Sequence, residues 1–212
     1  MTATWRRFAC VLILAFFGPA RVGEVLLAAR SNLVLPADCL FDPDDRLYLE
    51  IAAPKSRYRG GSSKQHICVV GQLEVAFASA CLFHLGPADP LYPFTPATFR
   101  ARWDALLARL TVPASLDFTP ASLRAGGTVF AYNHGAQVSD LLRRLRLQHL
   151  DTLSHYLQEV TTATSLRSAS FESRTLTLQT ASLYVPLLRT AVHLAGADAP
   201  FGLLDLPGRP GC

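Results

Sequence analysis

The sequence predicts an α+β fold, mainly helical, with a small β-hairpin or sheet. Three observations predict it. The amino end carries an apolar run closed by Gly18-Pro19; Leu47–Ile51 and His66–Val70 are β-rich and flank a polar, glycine-containing connection; and apolar residues recur at helical spacing through most of residues 73–161. Half of the 212 residues are apolar and 17% are charged, which excludes a disordered tail. A chain of this length buries roughly 70% of its unfolded surface, enough for one sizeable core. No internal repeat is visible.

The elements follow in order. Phe8–Phe17 is an apolar segment that ends where proline forbids continuation. Preceded by Trp5-Arg6-Arg7 and followed by Gly18-Pro19-Ala20, residues 5–20 equally imitate a secretory signal, although the run is shorter than the roughly 20 residues a bilayer requires. Arg21–Ala29 restarts a helical pattern that closes near Ser31-Asn32. The alternating strands at Leu47–Ile51 and His66–Val70, with Gly60-Gly61 between them, form the hairpin. Leu73–Leu85 reads as a buried helix, and Pro87, Pro90 and Pro93 mark a loop. Further helices are expected at Thr98–Leu110, Ser122–Asn133, Ser139–Leu147 and Thr152–Thr161. Beyond residue 161 the Ser/Thr-rich stretch carries little signal; Leu183–Leu194 could form one more helix, and Pro200–Cys212 reads as frayed.

The formal charge of +4 comes almost entirely from arginine, with 18 Arg against 2 Lys. A mild basic excess permits nucleic acid as a partner without demanding it. The odd count of five cysteines, with no C-x-x-C spacing, reads as reduced and intracellular, with Cys68 and Cys81 as apolar core residues. None of the six histidines pairs with Cys or acid at zinc-ligand spacing, so no metal site is expected.

Four polar clusters stand out of the apolar background. They are Arg21 with Glu24 just after a helix break, Lys55 at the start of the hairpin connection, Thr119-Pro120-Ala121-Ser122-Leu123-Arg124-Ala125-Gly126-Gly127 at a helix start, and Tyr156 following Arg143-Arg144-Leu145-Arg146. Each alone has an ordinary structural reading: a structural ion pair, an edge-strand lysine, a capped helix and a core tyrosine.

In this order, however, they resemble the catalytic domain of the tyrosine recombinases, the integrase family that cuts and rejoins DNA, over residues 5–165. The ending Leu153-Ser154-His155-Tyr156-Leu157-Gln158-Glu159 is similar to recombinase-like sequences of eukaryotic mobile elements. The resemblance implies a catalytic domain over residues 1–165 followed by a tail over 166–212, and makes Phe8–Phe17 a core helix leading to the first arginine. It implies that Arg21 and Arg124 clamp the scissile phosphate, Lys55 protonates the departing 5′ oxygen, and Tyr156 is the nucleophile that keeps a 3′-phosphate linkage. Glu24 would orient Arg21. These residue types suit the reaction. A phenol with an ordinary pKa near 10 is a weak nucleophile, and the attacked phosphodiester gains negative charge at the transition state. Fork-shaped guanidiniums match that charge, which leaves no required role for a metal or other cofactor.

Two positions depart from the family pattern. Ala121 stands three residues before Arg124 where a histidine is usual, and Leu147 stands nine before Tyr156 where His or Trp is usual. Each loss of a donor costs on the order of 3 kcal/mol at the transition state, about a hundredfold in rate, so impaired catalysis is expected. His149 is the candidate to fill the second vacancy. No counterpart of the separate DNA-binding domain of complete recombinases is expected in the 20 residues before Arg21. The chain is therefore expected to hold double-stranded DNA through phosphate contacts of Arg57, Arg59, Lys64, Arg143, Arg144 and Arg146, with salt-sensitive affinity and little sequence preference. Self-association on DNA, no membrane partner and an intracellular, nuclear location complete the expectation. The alternatives are a catalytically inactive DNA-binding relict and a secreted or membrane-associated protein led by residues 5–20.

Overall fold

The computed structural model describes residues 3–39, 46–51, 65–147, 149–157, 167 and 169–196. Helix α1 (Ala3–Phe17) forms the centre of the molecule because its apolar residues leave few polar faces: Phe8, Cys10, Val11, Ile13, Leu14 and Ala15 are all buried. It packs against α3 (Gln72–Leu82) on one side and α5 (Ser122–Asn133) on the other. The segment that imitates a signal sequence is thus a core helix. Gly18-Pro19 ends it, and the short α2 (Val22–Leu26) follows with Arg21 as its extended N-cap.

The sheet has three antiparallel strands in the order β1 (Leu33–Val34), β2 (Arg46–Ile51) and β3 (Gln65–Val70). Strand β1 extends the expected hairpin by one short edge strand, with Leu33 opposite Leu49. In β2 and β3, Leu47, Leu49, Ile51, Ile67 and Val69 face the core, and Ile51 pairs with Gln65 at the mouth of the hairpin. Strand alternation places Cys68 opposite Tyr48 and only partly buried, so among the described residues the buried thiols are Cys10 and Cys81. Gly71 turns β3 into α3 at φ 146°, a conformation open to glycine and costly for other residues.

Helix α4 (Pro96–Arg109) starts on Thr95, whose hydroxyl accepts from the Thr98 amide at 3.1 Å, with Pro96 in the first turn. Helix α5 has its expected limits. It crosses the last turn of α1 so closely that a methyl group on Gly127 would overlap the Phe16 carbonyl oxygen. Helix α6 (Val138–Leu145) stops before Leu147, and α7 (Leu150–Ser154) begins two residues before the predicted start and ends well short of Thr161.

The largest difference from expectation is α8 (Phe171–Gly196), a helix of 26 residues where a shorter one at Leu183–Leu194 was predicted. The hydroxyls of Thr175, Thr180 and Thr190 return hydrogen bonds to the carbonyls of Phe171, Leu176 and Pro186 four residues earlier. The hydroxyls are thus satisfied within the helix itself and need no other partner. Tyr184 anchors α8 to α3 by donating to Glu74 at 3.0 Å, while Leu188, Ala191 and Val192 pack on the central core. Among the described residues, no helix is long and apolar enough to cross a membrane.

Candidate functional site

The break between α1 and α2 brings the first site residues to the surface of the core. Arg21 caps α2, and Glu24 in the first turn accepts from the Arg21 guanidinium at 3.0 Å and from its backbone N–H at 3.3 Å. This local reason for the Arg-x-Gly-Glu spacing leaves the Arg21 side chain 43% exposed while Glu24 is nine-tenths buried.

Arg124 lies in the first turn of α5 and is buried. Its two terminal nitrogens donate to the carbonyls of Pro19 at 2.8 Å and Leu145 at 2.6 Å. One side chain thus ties the α1–α2 break, α5 and the end of α6 together. Its guanidinium carbon stands 5.6 Å from the centre of the Tyr156 ring, within cation–π range. Tyr156 follows α7 and packs at the edge of the cluster formed by Leu141, Leu145 and Leu153. Burial lowers the Arg124 pKa from its ordinary value and so do the charges of Arg21 and Arg146, while the Tyr156 hydroxyl opposes the change. Arg124 is accordingly the group on which Arg21, Arg146 and Tyr156 all act.

Arg146 sits differently from the expectation that grouped it with Arg143 and Arg144 as a phosphate-contacting cluster. It ends α6 at φ 57°, ψ 43°, a left-handed conformation that costs a non-glycine residue roughly 1–2 kcal/mol. The turn redirects its side chain inward, where it donates to Glu24 at 2.6 Å and to Gln65 at 3.3 Å. Both Glu24 and Arg146 side chains are only 10% exposed. Burial by itself would raise the Glu24 pKa; hydrogen bonds and charge from Arg146, then Arg21, outweigh it and hold the carboxylate below its usual value. Arg143, by contrast, is 72% exposed on α6 and pairs with Asp140 at 3.2 Å. Arg144 lines a separate cavity of about 260 Å³ with Phe17, Val70, Phe130 and His134. Sequence periodicity could not separate these three arginines, because the separation depends on where the helix stops.

Gln65, paired with Ile51 at the end of the described part of the hairpin, accepts from Arg146. Lys55, Arg57, Arg59 and Lys64 themselves lie outside the described residues. His149 is exposed at the N-cap of α7. Ala121, exposed before α5, and Leu147, packed with the α6–α7 cluster, present only apolar side chains where the resemblance expects donors.

The arrangement joins Arg21 and Arg146 through Glu24, and ties Arg124, which faces the Tyr156 ring, to the same helix break and helix end. The Nε–H groups of Arg124 and Arg146 are buried without hydrogen-bond partners. A surplus of charge and unmet donors suits an oxyanion. Among the described residues no group of His, Cys, Asp or Glu side chains could hold a metal ion. The chain matches no protein-family model, no curated protein and no solved structure.

Proposed function

We propose that this chain has a tyrosine-recombinase-like catalytic domain that cleaves and rejoins double-stranded DNA through a 3′-phosphotyrosine intermediate, as in site-specific recombination or integration. One observation supports the reading: Arg124 and Tyr156, separated in sequence, meet at 5.6 Å, and Arg124 is bonded to the Pro19 carbonyl two residues before Arg21. In this reading the Tyr156 oxygen gives up its proton to solvent water and forms a bond to phosphorus as the bond to the 5′ oxygen breaks. Arg21 and Arg124 stabilise the added negative charge, and Lys55 delivers the proton to the leaving oxygen. Rejoining reverses these steps, and the phosphotyrosine bond conserves the energy needed.

Ala121 and Leu147 favour a second reading, an inactive DNA-binding relict, because neither supplies a donor to the phosphate. Duplex DNA carrying a nick near the cleavage point separates the two. Loss of the short nicked fragment traps a covalent adduct, which should form with the wild type and disappear in Tyr156→Phe. Salt-sensitive DNA binding with no adduct in either protein selects the relict.

A further inference from the structure

Arg146 and Glu24 form a second ion pair whose geometry bears on Arg21. A carboxylate alone with an arginine ordinarily takes the guanidinium fork on both oxygens. Here Arg146 holds Oε2 of Glu24 at 2.6 Å, and the Arg21 side chain reaches Oε1 through a single nitrogen at 3.0 Å. The remaining guanidinium donors of Arg21 have no partner among the described residues, and the side chain is 43% exposed. Arg146 is itself fixed from two sides: its backbone takes the left-handed turn that ends α6, and Gln65 of β3 accepts from its other terminal nitrogen at 3.3 Å. The preceding residue, Leu145, supplies the carbonyl that holds Arg124 at 2.6 Å. The end of α6 therefore touches both arginines of the anion site, one through a carbonyl and the other through Glu24.

We infer that Arg146 is a positioning residue: by occupying one oxygen of Glu24 it keeps that carboxylate from capturing Arg21 completely, and so leaves Arg21 free to bind a phosphate oxyanion. The inference rests on the functional reading above as far as the oxyanion belongs to DNA. Its chemistry, however, concerns any phosphate at the Arg21–Arg124 pair. It assigns to Arg146 a role that direct contact with the DNA backbone does not require.

The test measures inorganic phosphate binding to the full chain by calorimetry, alongside thermal unfolding. Arg146→Met should bind phosphate at least about tenfold more weakly, the usual effect of losing one charge-assisted hydrogen bond. Arg146→Lys, which keeps a cation beside Glu24, should retain most of the affinity. The double variant Arg146→Met/Glu24→Gln should regain affinity, since no carboxylate remains to capture Arg21, even though its unfolding temperature stays low. A purely structural role predicts loss of stability without that recovery. The inference is overturned if Arg146→Met binds phosphate like the wild type, if the double variant is no better than the single one, or if the wild type binds no phosphate. With the nicked duplex, Arg146→Met should slow adduct formation at saturating DNA. An unchanged rate with a raised half-saturating DNA concentration would make Arg146 a direct DNA contact and also overturn the inference. Wild type that binds phosphate yet forms no adduct counts against strand cleavage alone, and the phosphate series still decides the role of Arg146.

Discussion

The Arg124 guanidinium donates to the carbonyl oxygen of Pro19, 2.8 Å away and 105 residues earlier in the chain. The bond joins α5 to the chain break that presents Arg21, so the two arginines of the proposed clamp are held in register by the backbone itself. Arg124 consequently has a structural duty besides any chemical one.

Replacing Arg124 by Met leaves the Pro19 and Leu145 carbonyls without their charged donor. A cost of about 3 kcal/mol is expected, lowering Tm by roughly 6–12 °C for a chain of this size. Calorimetric unfolding checks it; an unchanged Tm would mean that these carbonyls find other partners.

Two glycines provide a contrast in helix packing. Gly127→Ala places a methyl group against the Phe16 carbonyl and should destabilise by about 1–3 kcal/mol. At Gly23, inside α2, an added methyl meets nothing within 4 Å, and Gly23→Ala should gain about 0.5–1 kcal/mol. Urea unfolding of both variants tests the placement of α5 on α1.

The Glu24 carboxylate makes acid stability informative. Its pKa is lowered in the fold, so its stabilising contribution is complete above the unfolded value of about 4.3 and is lost as pH falls through the folded value. Glu24→Gln should cost about 3 kcal/mol near pH 7 by leaving Arg146 buried without its counter-ion. The gap between variant and wild type should narrow on acidification, as measured by denaturant titrations at stepped pH. A gap independent of pH would exclude the ion pair as its source.

Exposed Arg143 and inward Arg146 should differ in DNA binding. Arg143→Glu should weaken binding to unrelated duplexes alike and reduce the salt slope by about one per lost phosphate contact. Fluorescence anisotropy across a salt series reads both effects. A slope equal to the wild type's would remove Arg143 from the interface.

Much of the fold is legible locally. The apolar run of α1, the alternation of β2 and β3 and the limits of α5 follow from periodicity and from proline and glycine punctuation, which act over a few residues. Strand β1 was hidden because two residues carry no period, and α8 because its hydroxyls bond to its own carbonyls instead of breaking the helix.

The candidate site divides in the same way. Sequence alone determined which residue types recur in which order, Arg21 with Glu24, then Arg124, then Tyr156, because order and spacing are properties of the chain. Only the tertiary structure decided that Arg124 is tied to Pro19 and Leu145 and that Arg146 turns inward to Glu24 while Arg143 stays in solvent. Those outcomes depend on where α6 ends and what lies across the core, and contacts between residues 105 and 122 positions apart leave no local pattern to read.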